Sequence, residues 1–312
     1  MQKTVIHLII SALLLTVTAC SSNKLGKNSP PTTVLPINEQ LFTYVEKPLI
    51  SQKKLFELTV PQQNIILSAV KKKQQQGFKR HQALYEVLQS QLTNFTYYGE
   101  TYNAETAMRL NKGNCMSLAV LTTAYAKLLG LEFSYRKVST LPVFEKKNNL
   151  IISSSHVQTI IYDADDTTET SNRYASKAGL VIDYFPSKDN HAGKYFGEQA
   201  FISMYYKNLA GDALVENDLA LAFKLAKQAY TYNENSVEVI NSLAIIHRRA
   251  GDVNSAEAIY QAGFKIDQKN LRLISNYIML LKSQNRIAEA QEYQQQLNQL
   301  DDPNPFHWLE GV

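Results

Sequence analysis

Leu110-Asn111-Lys112-Gly113-Asn114-Cys115, then the apolar run 116–129, then Gly130: the fold turns on this stretch. Leu118, Leu121, Tyr125 and Leu128 recur at helical period and form an apolar stripe. Gly130 is a good helix stop, because helices commonly end on a residue in the left-handed conformation that glycine adopts freely. Asn114 suits the N-cap, where a side-chain oxygen accepts a first-turn N–H. Cys115 is therefore expected in the first turn of a helix with a buried face. A helix N-terminus carries partial positive charge and unpaired N–H groups. Both favour the thiolate, which is the nucleophilic form of cysteine. The backbone N–H groups of Cys115 and Met116 would also support an oxyanion on an attacked carbonyl.

Downstream the period falls towards 2. Residues 132–139 (EFSYRKVS), 155–162 (SHVQTIIY) and 180–185 (LVIDYF) read as strands rich in β-branched and aromatic residues. Residues 163–178 read as a polar loop. Asp163, Asp165 and Asp166 within it form a solvated turn in this reading, since no ligand pattern follows them. Upstream, Pro61 fits the first turn of a helix, with Ile65, Ile66, Ala69 and Val70 at helical spacing. A second helix fits 81–92, with Leu84, Val87, Leu88 and Leu92 on one face. Residues 95–98 are an extended candidate, and 104–110 a short helix.

A nucleophilic cysteine needs a base. The histidines are His7, His81, His156, His191, His247 and His307. His81 begins a helix, where solvent is expected around it. His191 falls in a polar loop, His247 inside a helix and His307 in the C-terminal tail. His156 opens a strand after the cysteine helix and is the best placed. A third group should orient the imidazole and stabilise its charged form. Asp183 stands in an otherwise apolar strand, where a carboxylate is costly without a partner. Cys115 as nucleophile, His156 as base and acid, and Asp183 as orienter form the candidate set.

From about residue 200 the texture is helical. Ala222, Ala256 and Ala290 are spaced 34 apart, as are Leu209, Leu243 and Tyr277, and Ala210, Ala244 and Ile278. Turn-like breaks recur at Glu216-Asn217-Asp218, Gly251-Asp252 and Gln284-Asn285. Small residues at this period, where paired helices cross closely, resemble three tetratricopeptide repeats. The match is imperfect. Ala229 keeps a second small residue in the first unit, while Gly263 and Leu297 replace it in the others.

Gly113-Asn114-Cys115 at the start of an apolar helix, Gly130-Leu131, Tyr135-Arg136-Lys137-Val138, then strands bearing His156 and Asp183 resemble the transglutaminase-like superfamily. The resemblance covers about residues 90–187. With the repeats, the chain is similar to bacterial proteins that join such a domain to tetratricopeptide repeats. The resemblance implies a papain-like α+β fold and a thiol acyl-transfer site built from Cys115, His156 and Asp183. It also implies activity on peptide or isopeptide bonds, or acyl transfer from glutamine to amines. Asn114 stands where many members carry Asp or Glu, and Gln158 where many carry an aromatic residue. The single tryptophan, Trp308, is far along the chain.

The N-terminus sets an address. Lys3 gives a basic start, residues 5–17 are mostly apolar, and Val17-Thr18-Ala19-Cys20 places small residues before a cysteine. This resembles a lipoprotein signal peptide whose new N-terminal Cys20 takes lipid. The apolar run is short for a membrane span, which needs roughly 20 residues. Ser21 follows, with no Asp to retain the protein at the inner membrane, so the resemblance implies an outer-membrane lipoprotein facing the periplasm. With Cys20 lipidated, Cys115 has no partner in the chain, which flags a reactive thiol. The net charge of +4 is mild, and the run Lys71-Lys72-Lys73 reads as a solvated helix face, not a nucleic-acid patch.

The expected organisation is a signal peptide (1–19), a lipidated polar tether with Pro30, Pro31 and Pro36 (20–40), and an α+β transglutaminase-like (papain-like) domain (41–199). An all-α solenoid of three tetratricopeptide repeats (200–302) and a tail (303–312) follow. No metal-ligand spacing, phosphate-binding loop or dinucleotide fingerprint occurs, so no cofactor is expected. Two functions fit: a membrane-anchored cysteine peptidase or amidase with repeats for substrate or partner binding, or an inert scaffold whose repeats bind protein.

Overall fold

The computed structural model describes residues 35–42, 48–97, 99–139, 144–147, 150–153, 156–163, 179–184, 186 and 191–300. The signal peptide, Cys20, His307 and Trp308 lie outside them, as do Asp165 and Asp166. The fold is mixed α/β and mostly helical. In order come α1 (Gln52–Phe56), α2 (Val60–Gln75), α3 (Arg80–Leu92), β1 (Thr96–Tyr97), α4 (Ala104–Leu110), β2 (Lys112–Gly113) and α5 (Cys115–Leu128). Then come β3 (Phe133–Ser139), β4 (Phe144–Lys147), β5 (Leu150–Ser153), β6 (His156–Tyr162), β7 (Gly179–Ile182) and β8 (His191–Phe196). The remainder is α6 (Glu198–Val215), α7 (Leu219–Tyr232), α8 (Val237–Arg249), α9 (Val253–Ile266), α10 (Leu271–Ser283) and α11 (Ile287–Asn298).

The cysteine helix has the boundaries its caps dictate. Asn114 Oδ1 accepts from Ser117 N at 3.0 Å. Gly130 takes φ +64°, and Leu131 N closes onto Ala126 O at 2.9 Å. The buried face is wider than the stripe alone, because α5 packs on both the sheet and the flanking helices. Residues Met116 through Ala126 are all buried. On α2 the apolar spacing misleads in part. Ile66 and Val70 are buried, but Ile65 is 57% exposed.

The main sheet is antiparallel, ordered β7-β6-β3-β8. Its edge strand β8 begins at His191, in a stretch expected to be a polar loop. His-Ala-Gly-Lys-Tyr-Phe carries little apolar alternation, and pairing with β3, not local pattern, makes it a strand. β7 ends at Ile182, so Asp183 follows the strand instead of lying inside it. His81 is buried, not solvated, with Nδ1 3.6 Å from Asp163 Oδ1. Asp163 is also paired to Lys79 Nζ at 2.7 Å, which gives the first residue of the expected solvated turn a structural role.

After β8 the helices pack in antiparallel pairs that repeat. α7, α9 and α11 begin 34 residues apart at Leu219, Val253 and Ile287. Asn217, Gly251 and Asn285 share positive φ, at 62°, 85° and 60°. The same backbone bond recurs after each: Asp218 N to Ala213 O, Asp252 N to His247 O and Arg286 N to Leu281 O. Ala222, Ala256 and Ala290 are buried at the crossings. The pairs share a core with the sheet: Phe201 of α6 stacks on Tyr135 of β3 at 4.1 Å.

The end of the expected tether is held, not free. Leu35 is buried. Asn38 N donates to His247 Nε2 at 3.2 Å, and Asn38 Nδ2 to Asp252 Oδ2 at 2.9 Å. Phe42 stacks on Phe223 at 4.0 Å. Among the described residues no helix is long and apolar enough to cross a membrane.

Candidate functional site

Cys115 is the first residue of α5, half-buried against the core. What fixes its position is the loop before it. Gly113 takes φ +148°, and a Cβ there would stand 2.6 Å from Ser117 Cβ. β2 pairs in parallel with β1, setting Tyr97 beside Gly113. Asn114 N donates to Glu100 O at 3.1 Å, and Asn114 Nδ2 to Thr101 Oγ1 at 2.7 Å. Tyr102 N donates to Ser117 Oγ at 2.8 Å. Residues 99–102 are thus stitched to the helix start by polar bonds on both sides of the thiol.

The thiol does not follow the simple helix-terminus expectation. Burial pushes its pKa up. The N–H groups of Met116 and Cys115 and the charge of Lys207 pull the other way, without reversing the shift. The resting sulfur is therefore a thiol, and partial desolvation outweighs the dipole. The two N–H groups expected to support an oxyanion do bear on the sulfur.

Asp183 follows β7 and is half-buried. The pair Thr159–Ile182 sets the register, so Asp183 falls opposite Gln158. Gln158 Nε2 donates to Asp183 Oδ2 at 2.6 Å. Arg136 Nε and Nη2 in turn donate to Gln158 Oε1 at 3.0 and 2.6 Å. One amide thus bridges a guanidinium and a carboxylate, an arrangement that also fixes which end of the amide is nitrogen. Tyr97 Oη donates to Tyr184 O at 2.7 Å, tying β1 to the residue after Asp183. Burial raises the Tyr97 phenol, and negative charge on Cys115 and on Asp183 raises it further. The cysteine and the carboxylate therefore both lie within electrostatic reach of Tyr97.

His156 is the first residue of β6, two before Gln158 and opposite Val138. Its side chain lies outside the described part of the structure. The backbone thus brings the elements of all three candidates together: the α5 start, the β6 start and the end of β7.

Sequence reading missed Tyr97, Arg136 and Lys207 as neighbours of the site. Gln158 was visible only as a departure from a family pattern. None has a local signal, because each acts through a cross-strand or interhelical neighbour. The cavity behind α5, lined by Leu88, Phe95, Leu118 and Tyr125, does not include Cys115. A second, lined by Phe78, Tyr85 and Leu180, does not either. Among the described residues no group of three or more His, Cys, Asp or Glu side chains is arranged to hold a metal ion. No protein-family model matches the sequence, and no curated protein matches it.

Proposed function

We propose that the protein is a lipid-anchored periplasmic thiol acyl-transfer enzyme of transglutaminase-like type, acting as a cysteine peptidase or amidase, with tetratricopeptide-like helix pairs that bind substrate or partner. The observation that carries this reading is Cys115 itself: half-buried, first in its helix, with two N–H groups on its sulfur and Asp183 on a neighbouring element. A thiol held protonated by burial needs a base at the moment of attack, which gives His156 its role. In the proposed reaction His156 takes the thiol proton as sulfur bonds to an amide carbonyl. The N–H groups of Cys115 and Met116 stabilise the oxyanion. The C–N bond then breaks, and the imidazolium gives its proton to the leaving amine. Water, deprotonated by His156, attacks the thioester. The C–S bond breaks and the proton returns to sulfur, leaving a carboxylic acid.

The test uses a peptidyl acyloxymethyl ketone, which alkylates a cysteine only when an acid–base pair engages it. Wild type should be labelled at Cys115. His156→Ala should slow labelling by roughly 10²–10⁴-fold, and Asp183→Asn by less. Equal labelling of wild type and His156→Ala would sink the enzymatic reading. The anchor is tested separately: palmitate should be incorporated into wild type and not into Cys20→Ala.

One observation favours a second reading, an inert scaffold that binds protein through its helix pairs. A raised thiol pKa is what an unreactive buried cysteine shows. An unlabelled wild type that still captures a peptide through its helix pairs would select it.

A further inference from the structure

The helix pairs carry charges that acyl transfer leaves unused. Lys207 of α6, Glu238 of α8 and Arg272 of α10 come from the first helix of each pair. Lys137 reaches in from β3, its Nζ 2.9 Å from Glu238 Oε1. Glu238 and Arg272 hold equivalent positions 34 apart, as do Lys207 and Asn241. Asn241 is buried, and its Oδ1 accepts from Asn276 Nδ2 at 3.2 Å. One surface, where the helix pairs meet the sheet, thus gathers three cations and two amides.

The charges do not balance. Glu238 supplies a carboxylate, and Asp212 is exposed five residues beyond Lys207 on α6. Lys137 engages Glu238 directly. Against the upward push of burial, that contact and the charge of Lys207 hold Glu238 at about 2. Lys207 is half-buried, and among the described residues no hydrogen bond or ion pair closes on its ammonium. Burial, then repulsion from Arg272, lowers its pKa to about 8. Burial also lowers Arg272. A partly desolvated cation without a matched anion is a cost to the folded protein, and an arriving anion relieves it. The site adjoins the thiol, since the Lys207 charge is felt at Cys115.

We propose that Lys207 and Arg272, flanked by Asn241 and Asn276, form a subsite for a carboxylate of a peptide substrate whose reacting carbonyl lies at Cys115. The substrate role rests on Cys115 being the nucleophile; anion binding does not. A carboxylate fits better than a phosphate, because Glu238 and Asp212 leave little excess charge and a planar guanidinium matches a carboxylate edge.

The test measures binding of fluorescein-labelled tetraglutamate to the purified full chain by anisotropy. Tetraglutamate should bind at least roughly tenfold more tightly than tetraglutamine, the effect of one charge-assisted pair. Lys207→Met and Arg272→Met should each weaken binding by a similar factor without lowering the thermal midpoint, and Glu238→Gln should tighten it. Failure of tetraglutamate to bind, or unchanged binding by Lys207→Met, overturns the subsite. Displacement by inorganic phosphate at lower concentration than by glutarate overturns the carboxylate assignment. Bound tetraglutamate should also slow alkylation of Cys115; binding without slowing would remove the substrate role. Failure of the catalytic reading looks different: His156→Ala would then leave labelling unchanged while tetraglutamate still binds.

Discussion

At Cys115 two effects of one position compete. The helix start lowers the thiol pKa, and the packing that makes α5 a core helix raises it. Burial wins in the resting protein. The rate of reaction with iodoacetamide near pH 7.5 is therefore expected to fall below that of free cysteine. Its midpoint with pH should lie above the ordinary thiol range of about 8.5. Beside it, Gln158 holds a carboxylate and a guanidinium on one side chain. Gln158→Ala should cost about 1.5–3 kcal/mol, the range for hydrogen bonds to charged groups, read from urea denaturation. A smaller loss with a large drop in labelling would mean the amide positions Asp183 more than it stabilises the fold. The identity of Gln158 is plain in the sequence. Its partners are not, because they follow from the register of three strands.

Among the elements, the turn before α5 and the breaks between helix pairs carry the most specific demands. At Gly113, φ +148° and the 2.6 Å approach to Ser117 leave no room for a methyl group. Gly113→Ala should destabilise by about 1–3 kcal/mol, the usual cost of a forced backbone strain, and should displace the thiol; thermal melting and Cys115 alkylation report the two effects. At Asn217, Gly251 and Asn285 the left-handed turn recurs with a period visible in the sequence. Asn217→Gly should be tolerated. Asn217→Val should cost about 1–2 kcal/mol, seen as a lower denaturant midpoint. The strands were less legible than the helices. β8 lacks alternation because it is an edge strand beside β3, and Asp183 was placed in β7 because pairing stops one residue earlier than the apolar pattern suggests.

Over the described molecule, the segment entering from the N-terminus is clamped to the helix pairs through His247. Its Nδ1 lies 2.8 Å from Leu243 O, which assigns the proton to Nδ1 and leaves Nε2 to accept from Asn38 N–H. Burial holds the His247 pKa down, although the Leu243 carbonyl and Asp252 favour the cation. The unfolded chain, with an ordinary value near 6.5, takes up this proton first. The stability His247 contributes is present above that pH and lost as pH falls below it. Between pH 7.5 and 5, wild type should lose more thermal stability than His247→Phe, and protease cleavage near residues 35–42 should accelerate. Equal pH slopes for the two proteins would refute the clamp.

The sequence by itself determined the caps and length of α5, the short helix α4, and the 34-residue rhythm of the helix pairs. These depend on neighbours within a turn or two, whose spacing is written along the chain. Only the tertiary structure decided the protonation of Cys115, the bridge of Arg136, Gln158 and Asp183, the edge strand β8, and the meeting of Lys137, Lys207, Glu238 and Arg272. Each joins residues distant in the chain, and desolvation and charge at such places depend on what folding brings alongside.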